Sequence, residues 1–375
     1  MTMIDRKGRR VALVLGGGGL KGFAHIGVLQ ALEERGITPS LYAGTSIGAV
    51  IGAAAAGGMP VAEMRHRAQS LSRKDLFRID HVAMLMQRIR VSSIYMEEPL
   101  RALCEAVSPR GTFDDLPVPL LVNTVDIERG TQVVWGLPGL RDVPIADAVY
   151  ASCALPGAFP PGRDNGRVCV DGGVMDNLPA SIAGLGMDAV IAVDVGSSDL
   201  SQATDIAHRG FAAIYMRAAT VMMHALQQWP LWTWQGPPML LIRPRLGHIP
   251  WLGFGNTDEV IGEGYQSALE ALDAFDSMLE HPGGVWPQHP VRIDVDRAKC
   301  TGCTTCVGLV PHIMGLDAEQ KAYPLTRERN WSGADGDFVR HCPTAAITVT
   351  RLDQTGTHDA SELGVPPAKK PREAA

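Results

Sequence analysis

From Arg10 to about Glu280, short apolar runs alternate with longer amphipathic stretches. VALVLG, LYAGTS, PLLVNTVD, RVCVDGG, DAVIAVDVG and PMLLIRP are runs of strand length with few polar interruptions. Strands covered by helices on both faces read this way. HIGVLQALEERG places Ile26, Leu29 and Leu32 on one helical face and stops at Gly36. The alternation predicts an α/β sandwich with a largely parallel sheet. His281–Pro290, HPGGVWPQHP, concentrates proline and glycine and predicts a linker. Beyond it VRIDVD alternates like a strand and AITVT offers it a partner. The expected order is an N-terminal extension (1–9), a large domain (10–280), the linker (281–290), a small domain (291–352) and a polar, disordered tail (353–375).

At 375 residues the chain suits this division, and 46% hydrophobic against 20% charged residues supplies a core. The net charge of −6 and the lack of any basic cluster interleaved with aromatics argue against nucleic acid. Glycines interrupt the first apolar run after Leu15, which does not suit a secretory signal. The longest uncharged stretch, Gly36 to Ala62, could reach across a bilayer, but its glycines, Thr45 and Ser46 fit a buried strand–turn–helix better. Cys104, Cys153 and Cys169 are scattered, whereas Cys300, Cys303, Cys306 and Cys342 share the last quarter. Clustered cysteines without an export signal predict a metal site in a reducing, cytoplasmic setting.

Three stations carry candidate chemistry. Gly44-Thr45-Ser46-Ile47-Gly48 fits the GxSxG elbow, where a sharp strand-to-helix turn presents a serine hydroxyl over a helix N-terminus. The same letters also occur in tight structural turns. Gly16 to Gly19, then Leu20-Lys21-Gly22, follow the first strand, and successive backbone N–H groups there suit an oxyanion hole. Gly17, Gly19 and Gly22 also spell GxGxxG, but a dinucleotide site wants an acidic residue at the end of the second strand, which instead ends in GTSIG. A P-loop fails because Gly22, not Ser or Thr, follows Lys21. Asp171-Gly172-Gly173 closes the strand RVCV. A carboxylate there could accept the serine proton if kept from water, although aspartates at strand ends are often plain turn residues.

Taken together, GGGGLKGFAHIGVLQALEERGI, GTSIGA, ALPGAFPP and VDGGVMDNLP resemble the patatin-like phospholipase family over about residues 10–280. The resemblance implies a three-layer α/β/α hydrolase with Ser46 as nucleophile and Asp171 as base, without histidine. It implies Gly17, Gly18 and Gly19 as the oxyanion hole, with Gly22, Gly44, Gly48, Gly172 and Gly173 as supporting motif positions. The substrate would be a lipid acyl ester. A Ser-Asp-His triad is the nearest rival, with His208, His224 or His248 third in chain order. His25 is expected to pack or face solvent. Trp229, Trp232, Trp234 and Trp251 suit a lipid–water boundary, hence transient contact with a membrane surface, or else an aromatic loop folded into the core.

Cys300, Cys303 and Cys306 at CxxCxxC spacing, with Cys342-Pro343 far downstream, resemble a small α+β ferredoxin domain over about residues 291–350. Two-residue gaps let one loop hold three corners of a cubane. The position that would serve a second cluster is Val310, so the resemblance implies one [4Fe–4S] cluster, of redox, sensing or structural role; a redox role would bring a redox partner protein. Zinc on four thiolates is the rival. A second reading of the whole chain is an electron-transfer or redox-sensing protein whose hydrolase fold binds lipid. The shared chain also suggests that the cluster's redox state biases hydrolysis, against the alternative of independent domains.

Overall fold

The computed structural model describes residues 8–78, 93–196, 205–249 and 253–353. The chain forms two compact units: Met1–Pro230 with Gln235–Gly284, and Leu231–Trp234 with Val285–Ala375.

The first unit is built on a mixed sheet between helices. Its strands are β1 (Val11–Leu15), β2 (Leu41–Thr45), β3 (Leu120–Asp126), β4 (Thr131–Trp135), β5 (Gly162–Asp164), β6 (Arg167–Asp171), β7 (Ala189–Val193) and β8 (Met239–Ile242). They run in the order β5-β6-β3-β2-β1-β7-β8, with β4 also on β3. β1 and β7 are at most 5% exposed throughout, which accounts for their unbroken apolar sequences. β3-β2-β1-β7-β8 are parallel, as the alternation with helices predicts. β4, β5 and β6 are not: β3 pairs antiparallel with β4 and β6, and β6 with β5. The expectation of a largely parallel sheet therefore holds for its centre only. β4 turns back from β3 through Gly130 at φ +64° and is buried in its second half alone, so no full apolar run marks it. β5 is three residues, Gly-Arg-Asp, and carries no strand signature.

Because the chain steps from β1 outward to β2 and β3 and later returns to the other side of β1 with β7, the topology changes direction at β1. Loops diverge at the carboxyl ends of the strands there, and ligands of open α/β sheets settle in such crevices. Ser46, the Gly16–Gly19 loop and Val195–Gly196 all follow strand ends at this edge.

α1 (Ala24–Glu34), α2 (Ile47–Ala56), α3 (Val61–Ser70), α4 (Glu97–Val107), α5 (Ile145–Cys153), α6 (Ala180–Ala183), α7 (Phe211–Trp232) and α8 (Thr257–Leu272) complete this unit, except that Leu231 and Trp232 fall in the second. α1 and α8 cross almost backbone to backbone. A Cβ on Gly27 would lie 2.0 Å from the Ile261 carbonyl oxygen, and one on Gly264 2.0 Å from that of Ala24.

The second unit holds β9 (Val285–Trp286) and β10 (Gln288–Val295), the latter antiparallel to β13 (Glu328–Ser332) and β14 (Ile347–Arg351). β11 (Met314–Leu316) and β12 (Ala322–Pro324) make a hairpin. β10 starts inside the stretch expected to be a linker: His289 and Pro290 pair with Trp331 and Asn330. Its core centres on Val291, Ile293, Trp331 and Phe338, the two rings stacked at 5.8 Å. Of the tryptophans expected at a lipid–water boundary or in a core loop, Trp229 is exposed on α7, Trp232 packs against this second core, and Trp251 lies outside the described residues.

The α1–α8 crossing predicts opposite effects of one substitution on one helix. Gly264→Ala should lower the unfolding free energy by about 1–3 kcal/mol, read as a lower urea midpoint, because the helices must part. Gly262→Ala has nothing within 4 Å of the new methyl and should be neutral or stabilising, since alanine is the better helix former. Equal losses from both would refute the crossing.

Candidate active site

Ser46 stands between β2 and α2 with φ +54° and ψ −126°. A non-glycine residue adopts such a backbone only when its surroundings enforce it. Here they do: Ser46 N–H donates to Ser152 Oγ at 2.9 Å, and Ser152 Oγ donates to the Asn123 carbonyl at 2.7 Å. The flanking glycines make room for the turn. A Cβ on Gly44 would sit 2.4 Å from the Gly48 carbonyl oxygen, and one on Gly48 2.0 Å from that of Leu15. Gly22 plays the same part toward the Ile47 side chain. Ser46 precedes the first turn of α2, whose unpaired N–H groups favour negative charge.

The glycine loop is held from behind. His25 is fully buried, and its Nε2–H donates to the Gly16 carbonyl at 2.8 Å. Burial lowers its pKa to about 4, so it stays neutral and serves as a strut. Asn177 clamps the same loop: its Nδ2 donates to the Gly17 carbonyl at 3.0 Å, and Gly17 N–H donates to the Asn177 carbonyl at 3.2 Å. Gly17 is buried, whereas Gly18 and Gly19 are half-buried beside Ser46. Of the expected trio, Gly17 N–H is taken by Asn177, while Gly17 and Gly18 line the smaller cavity at Ser46 and Gly19 the larger.

Asp171 ends β6 beside Thr124 of β3 and is 3% exposed. Gly173 N–H donates to its Oδ1 at 2.8 Å, and the Ser46 hydroxyl faces the same carboxylate. Burial outweighs both and pushes the carboxyl up to about 6. Gly172 packs on Asn123, where a Cβ would lie 2.4 Å from the backbone oxygen. The next turn is tied to the sheet as well: the Asp176 carbonyl accepts from Asn123 Nδ2 at 2.6 Å and Thr45 Oγ1 at 3.3 Å.

Two cavities meet at Ser46. The larger, about 670 Å³, is lined by Gly19, Ser46, Cys153 and Asp171 at one end and by Leu, Ile, Val and Phe side chains over the rest. The smaller, about 60 Å³, lies toward Gly17, Gly18, Asn177, Thr220, His224 and Gln227. Of the three candidate histidines, His224 alone lines a cavity with Ser46; His208 is exposed, and His248 pairs with Glu259 at the surface. Ser152, Asn177 and Cys153 had no role in the sequence reading. Asn177 lies in the quoted VMDNLP, so position within a motif was its only signal; Ser152 and Cys153 carried none.

In the second unit, Cys300 and Cys306 are buried, Cys342 is half-buried and Cys303 exposed. Ala322 N–H points at Cys300 Sγ at 3.4 Å and Ala346 N–H at Cys342 Sγ at 3.2 Å. Burial pushes the Cys306 thiol up, with Cys303, Cys342 and Cys300 adding to it. Among the described residues no three or more His, Cys, Asp or Glu side chains converge closely enough for a single metal ion. Val310 is a core residue.

Comparison with known proteins bears on this arrangement. Residues 13–183 match the patatin-like phospholipase family. The matched span of this patatin-like domain includes the glycine loop, Ser46 and Asp171. An uncharacterized NTE family protein of Mycobacterium tuberculosis is 39% identical over 198 residues, 52% of each chain. Human patatin-like phospholipase domain-containing protein 6 is 37% identical over 195 residues, 51% of this chain and 14% of its own length. Lysophospholipase nte1 of Emericella nidulans is 31% identical over 309 residues, 73% of this chain and 19% of its own. The chain thus spans about half the length of the mycobacterial relative and less of the others.

The perturbed carboxyl of the patatin-like domain predicts opposite demands on stability and activity. The unfolded pKa of aspartate is about 3.9. Asp171 titrates near 6 when folded, so its contribution to stability is present below about pH 4 and is lost as pH rises through 6. Above that, the ionised group costs about 3 kcal/mol. Asp171→Asn should therefore melt higher than the parent at about pH 8, and the gap should close near pH 4. Thermal melts across pH check this; an Asn variant that melts lower at every pH would contradict it.

Proposed function

We propose that this protein is a serine acyl hydrolase that cleaves lipid acyl esters with Ser46 as nucleophile and Asp171 as base. The observation that carries the reading is a strained serine facing a water-excluded carboxylate at one end of a large apolar cavity. Ser46 Oγ attacks the ester carbonyl carbon while Asp171 takes its proton. The carbonyl oxygen gathers the negative charge and meets the N–H groups of Gly18 and Gly19. Collapse expels the alcohol, which leaves with the proton from Asp171. Water then attacks the acyl-serine, Asp171 again accepting the proton, and collapse releases the fatty acid as Asp171 returns that proton to Ser46 Oγ. The acyl chain occupies the 670 Å³ cavity and the alcohol leaves on the side of the smaller one. A dyad is favoured over a triad because the Ser46 hydroxyl faces Asp171 directly, with no ring between them. A relative's name, lysophospholipase, makes lysophospholipids the first substrates to test.

The four C-terminal cysteines belong to the same proposal as ligands of one [4Fe–4S] cluster. The group fits them better than zinc does. Three cysteines at two-residue spacing with a distant Cys-Pro suit the corners of a cubane, whereas zinc modules usually pair two CxxC knuckles. The backbone N–H groups aimed at Cys300 and Cys342 suit charged sulfurs. When bound, such a cluster supplies one-electron transfer. A redox partner protein and membrane-surface contact complete this reading.

Ser46→Ala should lower ester hydrolysis by about 10⁴-fold or more, with the far-UV spectrum unchanged. A fluorophosphonate should label the parent at Ser46 alone; wild-type turnover in Ser46→Ala would exclude the dyad. Anaerobically purified protein should contain about four iron and four sulfide per chain. Stoichiometric zinc without charge-transfer absorption would overturn the cluster.

A further inference from the structure

α7 is amphipathic in the wrong sense for a helix of a water-facing surface. Its outward side carries Phe211 (83% exposed), Ile214, Tyr215, Val221, Met222 (56%), Leu226 (49%) and Trp229 (66%). At 100° per residue these positions fall within a sector of roughly 140°. The opposite side holds Thr220, His224 and Gln227, of which the last two are at most 7% exposed. Thr220, His224 and Gln227 line the small cavity beside Ser46. The helix therefore turns polar groups toward the reaction and apolar groups away from the protein. An apolar stripe of this size on a surface marks a binding face.

The stripe points to its own occupant. Phe211 and Tyr215 belong both to the exposed row and to the wall of the 670 Å³ cavity, so the outer apolar surface runs on into the space that receives the acyl chain. A protein partner would leave that continuity without a use, whereas a lipid surface supplies what the cavity holds. Arg217 is the only charged residue between Phe211 and Trp232, and it lies off the stripe. Surface-seated helices commonly carry several Lys and Arg on their polar face to grip anionic lipid; this one has a single arginine. Among the described residues no helix is long and apolar enough to cross a membrane.

We infer that the outward face of α7 seats the hydrolase unit on lipid by apolar insertion, without dependence on anionic headgroups. This rests on the acyl-hydrolase reading for the content of the cavity. Met222 and Leu226 line neither cavity, so changing them tests the seat without touching the chemistry.

The experiment is co-sedimentation of the full chain with phosphatidylcholine vesicles, alongside hydrolysis of a water-soluble short-chain ester. The parent should bind equally at low and high salt and gain little from added phosphatidylserine. Met222→Asp with Leu226→Asp should weaken binding by about tenfold for each apolar side chain withdrawn. Turnover of the soluble ester and the circular dichroism spectrum should not change. Single Met222→Ser and Leu226→Ser variants, milder in their effect on folding, should each show part of the loss. Parent-like vesicle binding by the double variant overturns the inference, as does parent binding that needs phosphatidylserine and vanishes in salt. A parent that self-associates through this face, shown by a variant that becomes monomeric, overturns it in favour of a second copy. If vesicles are bound as expected but no ester of any length is cleaved, the seat stands and the hydrolase reading falls.

Discussion

Asp171 is a carboxylate kept from water, and most of what surrounds it is arranged to keep it there. Ionising it in place is unfavourable enough to move its pKa to about 6, with only the Gly173 amide and the Ser46 hydroxyl pulling the other way. A carboxylate held at this cost is a better base than one in solvent, and its basicity rises because nothing else satisfies its charge. The antiparallel placement of β6 against β3 puts the carboxylate at the edge where β1 and β2 end, so the mixed sheet and the chemistry share one cause.

Around that pair the protein separates two environments. On one side of Ser46 the walls are nearly all hydrocarbon, which suits an acyl chain and excludes water from the reacting ester. On the other are amides and a histidine from Asn177 and α7, which suit a departing alcohol. α7 serves both sides, because its inner face lines the polar cavity while its first turn closes the apolar one. Its outward side leaves an exposed apolar stripe, the face inferred above to meet lipid.

The second unit packs a core of its own around two stacked rings. Val291, Ile293, Trp331 and Phe338 are fully buried, with ten further buried residues in the same cluster, Cys300 and Cys306 among them. Small segments of this kind gain much of their stability from bound metal. The cysteines sit on a short helix, a loop and a distant turn, which binding would tie together.

Much of this was legible along the chain because it depends on local pattern. Unbroken apolar runs marked six of the strands, since a strand covered on both faces can hold little else. The glycines of GGGGLKG and GTSIG were visible because close backbone approach excludes every other residue, and CxxCxxC was visible by its even spacing alone. Tertiary structure decided the rest. β4 and β5 pair by hairpin return rather than by their own composition. Gly17 belongs to the scaffold because Asn177, distant in sequence, takes its N–H. His25 became a buried strut only once Gly16 reached it. Nothing in the letters from Phe211 to Trp232 says which side faces out; a helix's apolar stripe usually turns inward. Here the polar side was drawn in by the cavity beside Ser46, a preference set by residues that meet only after folding.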